Sequence, residues 1–437
     1  MAFIRVDSRF SSEDVTSMQS DFTYMNGQLC AEKVSVSKLA EECGTPLYIY
    51  SRSHLIRQYR ALADAMKSVQ PQIYFAIKSN SNLAVIRTLA DQGAGADVVS
   101  GGELFRARKA GVPADKIVFA GVGKTAAEID YALKEGIKFF TVESEPELQR
   151  ISDRAEAMGV TGRVAIRVNP DVDPKTHKYT STGKAENKFG VDLTRAERAY
   201  DLAARLPGVE VAGMHMHLGS PIMTPTPYAE ALQKVRPMCE ALKKEIPTFK
   251  HLDIGGGLGI AYRFEQDPLD PRDFASAVLP LLHGLDLQVG MEPGRFITGN
   301  AGILVTRVEY VKHSLEKQFV IVDAAMNDLI RPPLYGAHHE IISVVQTTER
   351  AFGDVVGPIC ESGDFMAENR ELPAVEEGDL LAVLSAGAYG FVMASNYNSR
   401  GRAAEVMVEG ERAEVVRTRE TWDDLIRGET IPEWTNS

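Results

Sequence analysis

The chain is poor in cysteine and in basic charge, and it has no long apolar run. Four cysteines, Cys30, Cys43, Cys239 and Cys360, are scattered over 437 residues, and none stands in a CxxC pair. Neither a disulfide framework nor a thiolate metal site is indicated, and a reducing, cytoplasmic setting is expected. Lys and Arg number 48 against 60 Asp and Glu, a formal net charge of −12. That balance argues against nucleic acid as a partner, and any anionic ligand would need its own local cluster of arginines. No stretch reaches the ~18 apolar residues of a membrane span, so no membrane partner is expected. The opening MAFIRVDSRFSSEDV carries early acids and no apolar core, so no secretory leader is expected. Low-complexity segments and short repeats are also absent.

What is present is the composition of a folded globular protein, 44% hydrophobic and 25% charged. The length exceeds one ordinary core and fits two domains. From about residue 45 to 295, short β-branched or aromatic runs alternate with amphipathic stretches. The runs are IYFAI (73–77), DVVS (97–100), KIVFA (116–120), FFTV (139–142), VAIRV (164–168), VAGMHM (211–216), HLDI (251–254) and LQVGM (287–291). Among the stretches between them, SEPELQRISDRAEAMG (144–159) sets Leu148, Ile151 and Ala155 on one helical face. Eight strands alternating with helices over ~250 residues is the count and size of a (β/α)8 TIM-like barrel. A doubly wound sheet also alternates, but usually with fewer strands. After about residue 300 the pattern becomes strand upon strand, ILVTRVEYV, KQFVIVDAA, EIISVVQ, DLLAVLS and AEVMVEGERAEVV, which reads as a mostly antiparallel β domain. WDDLIRGE reads as a short terminal helix.

Barrel active sites form at the C-terminal ends of the strands. That rule selects Lys78 after the first strand, Ser100-Gly101-Gly102-Glu103 after the second, Arg167 on the fifth and His217 after the sixth. It also selects Gly255-Gly256-Gly257-Leu258-Gly259 after the seventh and Glu292-Pro293-Gly294-Arg295 after the eighth. A lysine emerging from an apolar run is either a snorkelling side chain or a desolvated amine suited to Schiff-base chemistry. Four glycines in five residues suit a backbone cradle for an anion, although one tight turn would need a single glycine. The spacing is not that of a dinucleotide-binding loop. Glu292 beside such a cradle needs a cationic partner, either an arginine or a protonated ring nitrogen. His215 and His217 share a strand face, a spacing that permits metal ligation. Lysine at the first strand end favours an organic cofactor instead, with His217 stacked on it. In the β domain, Cys360-Glu361-Ser362-Gly363-Asp364, Arg331 to Tyr335 and Gly387-Ala388-Tyr389-Gly390 offer a thiol, acids, an arginine and tyrosines. Each also has an ordinary structural reading.

Taken in order, GTPLYIY, YFAIKSN, GADVVSGGEL, NPDVDPKTHKYTSTGKAENKFG, HMHLGS, GGGLGI, EPGR, MNDLIRPPLY, CESGD and GAYG resemble the diaminopimelate decarboxylase branch of the fold-type III pyridoxal-phosphate decarboxylases. The resemblance runs from about Phe22 to about Val416. It implies an alanine racemase-like architecture. Residues 1–44 would join the β domain, 45–298 would form the barrel that binds pyridoxal 5'-phosphate, and 299–437 would form the β domain. It implies that Lys78 binds the cofactor covalently, that His217 stacks on its ring and that Glu292 partners the pyridine nitrogen. Ser220, Gly256, Gly257, Gly294 and Arg295 resemble the phosphate cradle, closed by Tyr389, with Asp97 and Arg167 as supporting polar groups. Arg295, Arg331 and Tyr335, with Tyr389, resemble the substrate clamp, and Glu361 the reader of the distal amine. Cys360 resembles the residue that reaches a neighbouring subunit's site, which implies a homodimer with shared active sites. No metal is implied.

The implied reaction is decarboxylation of meso-2,6-diaminopimelate to L-lysine and CO2, the last step of lysine biosynthesis. The departures are small: Pro221 stands where the family often has glutamine, and Leu218 where isoleucine is common. The nearest rivals are decarboxylases of ornithine, arginine or a carboxylated polyamine. Arg331, Tyr335 and Glu361 suit a second amino-acid head better than a bare amine. A non-catalytic relative is disfavoured by Lys78 and Cys360, and a metal-dependent barrel hydrolase would require the two histidines to share an ion.

Overall fold

The computed structural model describes residues 21–173, 188–315 and 317–436. The eight expected strands all form: β1 (Gln72–Ala76), β2 (Gly95–Val98), β3 (Ile117–Phe119), β4 (Phe139–Val142), β5 (Gly162–Asn169), β6 (Val209–His215), β7 (His251–Asp253) and β8 (Gln288–Met291). Each pairs in parallel with the next, and Gly290 and Met291 of β8 return to Gln72 and Ile73 of β1. The sheet is therefore a closed barrel. Strands covered on both faces need side chains that tolerate burial everywhere, and Phe139–Val142 is buried at all four positions. Inside, Tyr74, Val118, Phe139, Ala165 and Ala212 form one packed cluster that mixes large and small residues, so the barrel is a core and not a channel.

Helices follow the strands: α1 (Leu83–Ala90), α2 (Gly101–Lys109), α3 (Ala126–Glu135), α4 (Glu145–Met158), α5 (Leu193–Arg205), α6 (Thr226–Glu245) and α7 (Pro271–Leu282). After β8 there is only a single turn, α8 (Arg295–Thr298). The starts are capped by the local sequence. Ser100 accepts from the Glu103 N–H, Ser144 from the Glu147 N–H, and Thr125 with Glu128 makes a reciprocal capping box. Gly136 and Gly159 end α3 and α4 in the left-handed conformation. Leu148, Ile151 and Ala155 are buried, as the helical spacing expects.

The chain divides into two compact units. The barrel unit is His54–Ala261 with Asp267–Gly299. The other takes the described residues up to Ser53, the short stretch Tyr262–Gln266, and Asn300 onward. Its main sheet runs in the order Phe365–Pro373, Arg350–Val356, Gln318–Val322, Gly302–His313, Leu47–Ser51, Ala404–Glu409, Arg412–Arg417, with Leu380–Val383 and Ile341–Ser343 branching from Gly302–His313. Most pairings are antiparallel, as expected; two are parallel. A three-stranded sheet of Phe22–Met25, Gln28–Ala31 and Val34–Ser35 lies ahead of them.

One boundary moves. Leu47–Ser51 lies inside the stretch 45–298 assigned to the barrel, yet it is fully buried between Gly302–Val305 and Ala404–Val408 in the β sheet. The barrel unit accordingly begins at His54. Two strands, Arg350–Val356 and Phe365–Pro373, lie outside the runs that the sequence pattern marks: FMAENRELP carries four polar residues in nine, and RAFGDVV is interrupted by Gly353 and Asp354. The terminal helix is short, Trp422–Leu425. No helix of the described residues is long and apolar enough to cross a membrane.

The end of the barrel opposite the strand C-termini serves stability. There His251 opens β7, is buried, and lies 5.6 Å from the Phe139 ring. Burial, and then the charges of Lys138 and Arg163, push its imidazole down from 6.5 to about 4. The unfolded chain thus takes up a proton that the folded one refuses, so stability falls as pH drops from 6.5 toward 4. His251→Phe keeps a ring and removes the proton. It should shrink that acid-side loss by about 2 kcal/mol, measured as the difference in urea midpoints between mildly alkaline and acidic buffer. An unchanged acid slope would refute this account.

Candidate active site

Closure of the barrel brings the loops after β1 and β8 together, with the Ala76 N–H donating to the Pro293 carbonyl at 3.2 Å. Lys78 leaves β1 in the one-turn helix Ile77–Ser79, and its half-buried ammonium pairs with Asp97, which is fully buried on β2. Glu292 ends β8, and its Oε2 lies 3.0 Å from Nε2 of buried His215 at the end of β6. Burial alone would push the Glu292 carboxyl up. The charge and hydrogen bond of His215, with Lys78 and His217 beyond, outweigh it and hold the carboxyl below the usual range. Asp97 goes the other way, raised by burial and by the charge of Glu292 against the pull of Lys78.

His217 follows β6. Burial, then the charges of Arg167 and Lys78, hold its ring well below the ordinary value and hence neutral. Its Nδ1 accepts from the Gly256 N–H at 3.2 Å. His215 and His217 therefore engage different partners, Glu292 and Gly256. Arg167 on β5 is buried, donating to Glu143 Oε1 at 3.0 Å and lying 4.8 Å from the Phe189 ring. Glu143 also accepts from the Gly190 N–H at 2.8 Å. Glu143 is itself anchored: its N–H donates to Glu147 Oε2, and Glu147 Oε1 holds the buried Lys124 ammonium at 2.6 Å.

The glycine loop is knitted to its neighbours. The Glu292 N–H donates to the Gly255 carbonyl at 2.9 Å, and the Ile222 N–H to the Gly257 carbonyl at 2.8 Å. A Cβ on Gly256 would lie 1.9 Å from the Glu292 carbonyl oxygen, and one on Gly257 2.0 Å from that of Gly219, where Gly257 also has φ +101°. Only glycine permits this approach of three loops. Arg295 is buried in α8, with its Nε donating to Ser220 Oγ at 3.1 Å. Ser220, Gly256, Gly257, Gly294 and Arg295 thus belong to one set of loops at one end of the barrel.

Among the described residues, several buried polar atoms here have no hydrogen-bond partner: Asp97 Oδ1, Thr141 Oγ1, His215 Nδ1, Asp253 Oδ2 and Glu292 Oε1. Orphaned buried polar atoms are costly in a finished core and mark places where a ligand completes the bonding. Lysine, a carboxylate with one free oxygen, a neutral imidazole and a glycine cradle fit pyridoxal phosphate, whose aldehyde, pyridine nitrogen, ring and phosphate call for those groups respectively.

In the β unit, Arg331 is buried in the short helix Arg331–Tyr335. Its guanidinium lies 4.5 Å from the Tyr262 ring and donates to His339 Nε2 at 2.7 Å. Burial and the charge of Arg331 keep His339 well below its ordinary value, so its Nδ1 donates to the Leu384 carbonyl at 2.8 Å. Cys360 and Glu361 are exposed. Their loop is tied to the one before Arg331 through Asp364, which accepts from the Met326 N–H at 2.6 Å and from the Ile359 N–H at 2.7 Å. Tyr335 and Tyr389 are half-buried, Tyr389 with φ +55°. Of the motif running from Asn169 to Gly190, residues 174–187 lie outside the described residues.

Two residues with evident roles at the barrel end, Glu143 and Asp253, are not singled out from the sequence, and for His215 the sequence does not reveal Glu292 as its partner. The strand-end rule applied to the fourth and seventh strands would have found Glu143 and Asp253. Glu103 stands at the second strand end, where the sequence gives it no role. Its carboxyl accepts from the Val99 N–H at 2.8 Å and is pushed up to about 7 by burial.

Comparison with known proteins agrees with this chemistry. Residues 52–299 match the pyridoxal binding domain of the pyridoxal-dependent decarboxylases. The chain is 51% identical over 413 residues to the diaminopimelate decarboxylase of Pseudomonas fluorescens, covering 94% of this chain and 99% of that one. It is similar to the crystal structure of diaminopimelate decarboxylase from Helicobacter pylori complexed with L-lysine, with 41% identity, a TM-score of 0.86, and coverage of 90% of this chain and 98% of that one. It is also similar to that of M. jannaschii in co-complex with L-lysine, with 37% identity, a TM-score of 0.90, and coverage of 95% and 98%.

The buried Glu143–Arg167 pair supplies a direct check. Glu143→Ala leaves a buried guanidinium without its counter-ion and should cost about 3 kcal/mol, read from denaturant midpoints. The double variant with Arg167→Ala should lose clearly less than the two single losses summed. Simple additivity would show that the pair is not coupled.

Proposed function

The chain belongs to the diaminopimelate decarboxylases within the pyridoxal-dependent decarboxylase family, and from that premise we propose how its own residues carry the reaction. It is a carboxy-lyase that uses pyridoxal 5'-phosphate to convert meso-2,6-diaminopimelate into L-lysine and CO2, the closing step of lysine biosynthesis. The cofactor, when bound, takes up the electron pair left on the α-carbon as CO2 departs.

Lys78 would hold the cofactor covalently, with Asp97 beside it to hold the proton of its ammonium form. Glu292 stays ionised and keeps the pyridine nitrogen protonated. The observation that carries this reading is the buried Glu292 carboxylate, one oxygen held by His215 and the other unpartnered, on the loop that hydrogen-bonds to the lysine-bearing strand end. His217, neutral and hydrogen-bonded to Gly256, stacks on the ring, and Arg167 supports it from the side, clamped by Glu143. Ser220, Gly256, Gly257, Gly294 and Arg295 receive the phosphate, with Tyr389 closing over it. For the substrate, Arg295, Arg331, Tyr335 and Tyr389 hold the retained carboxylate, and Glu361 receives the distal ammonium. The α-carbon takes its proton from Cys360 or from Lys78. A thiol that is exposed within its own unit fits a donor offered to a partner subunit, so the working form is a homodimer with shared sites. The absence of any CxxC pair agrees with a cytoplasmic protein.

Purified protein should be yellow and should release lysine and CO2 from meso-diaminopimelate, with no turnover of ornithine or arginine. Lys78→Ala should lower turnover about a thousand-fold or more. A yellow protein that makes no lysine would move the substrate elsewhere in the family. A colourless protein that pyridoxal phosphate fails to reconstitute would sink the assignment. Sharing of sites is tested by mixing: Lys78→Ala and Cys360→Ala chains, each inactive alone, should recover about a quarter of wild-type activity when co-refolded. No recovery would show that each subunit completes its own site.

A further inference from the structure

Beneath the groups already assigned lies a trio on neighbouring strands. His215 ends β6 and stands opposite Asp253, the last residue of β7, which in turn stands opposite Gly290 of β8, two residues before Glu292. All three side chains are buried, and one polar atom of each lies within 4.8 Å of the others. Their bonding is asymmetric. Glu292 Oε2 meets His215 Nε2 at 3.0 Å, and Asp253 Oδ1 accepts from the Gly255 N–H at 2.8 Å. Glu292 Oε1, His215 Nδ1 and Asp253 Oδ2 have no partner.

Charge limits what this trio can be. Asp97, Asp253 and Glu292 are three buried carboxyls whose charges act on one another. Facing them are the half-buried Lys78 ammonium, the neutral His217 ring and the Tyr74 phenol, which burial and both acids keep protonated. Like charges this close in a desolvated site cannot all persist. Glu292 has the imidazole donor. Asp253 has one backbone N–H and, among the described residues, no ion pair, and burial with the charge of Glu292 holds it well above the ordinary carboxyl range.

We propose that His215 and Asp253 are positioning residues for Glu292: His215 donates from Nε2 to fix one oxygen of Glu292 and aim the other at the pyridine nitrogen, while Asp253 anchors the glycine loop through Gly255. This rests on Glu292 being the pyridine partner. His215 acts only through Glu292, and Asp253 keeps the negative charge of that floor on the one carboxylate that uses it.

The test is a spectrophotometric pH titration of the holoenzyme chromophore, with cofactor affinity, kcat and KM, on five variants. His215→Phe should shift the titration midpoint by about a unit and lower kcat about ten- to a hundred-fold with little change in KM. His215→Gln, which restores an N–H donor, should recover most of both. Asp253→Ala should weaken cofactor binding about ten-fold, and Asp253→Asn, uncharged and able to accept from Gly255, should recover most of it. A wild-type midpoint in His215→Phe, no rescue by His215→Gln, or Asp253→Asn as poor as Asp253→Ala would overturn the proposal. Glu292→Gln separates the two levels. If it leaves the spectrum and kcat unchanged, Glu292 is not the pyridine partner. If it alters both while the His215 variants do not, only the positioning roles fail.

Discussion

Pairing of the last barrel strand with the first is the constraint on which the rest of this protein depends. Lys78 and Glu292 are more than two hundred residues apart in the chain. They share one rim because Gly290 and Met291 pair with Gln72 and Ile73, and because the Pro293 carbonyl accepts from Ala76. Parallel strands in a closed sheet all present their C-terminal ends on one side. That geometry delivers lysine, aspartate, arginine, histidine, glycines and glutamate from different strands to one place without any of them being neighbours in sequence. The packed interior below, with Tyr74 and Phe139 filling space between Ala165 and Ala212, keeps that rim rigid.

Rigidity matters because the rim gathers charges that a low-dielectric site tolerates only in fixed pairs. Lys78 has Asp97, Arg167 has Glu143, Lys124 has Glu147, and Glu292 has His215. The same environment drives titration in opposite directions according to partner. Glu292, with imidazole against it, is held ionised, whereas Asp253, with only a backbone N–H, is pushed toward the neutral acid. His217, among cations, is kept neutral, which suits a ring that stacks. One type of group, the carboxyl, therefore takes different roles by surroundings alone.

The β unit follows the same logic with loops in place of strand ends. Asp364 ties the loop of Cys360 and Glu361 to the loop preceding Arg331. Arg331 is fixed between the Tyr262 ring and a neutral His339.

The sequence by itself determined the barrel and the residues that repeat the strand-end rule. Alternation of apolar runs with helical spacing is a local property, and so are the caps at Ser100, Thr125 and Ser144; all are readable because they depend on residues within a few positions. Lys78, His217, Glu292 and the glycine loop were legible for the same reason, each sitting where a periodic run stops. Tertiary structure alone decided what local pattern does not encode. Leu47–Ser51 reads as any buried strand, and only its partners near 302 and 404 place it in the β sheet. Arg350–Val356, interrupted by Gly353 and Asp354, and Phe365–Pro373, with four polar residues in nine, are held as strands by their neighbours. The pairing of His215 with Glu292, the upward push on the Asp253 carboxyl and the clamp of Glu143 on Arg167 arise from burial and from contacts across the closed sheet, which no spacing in the sequence reveals.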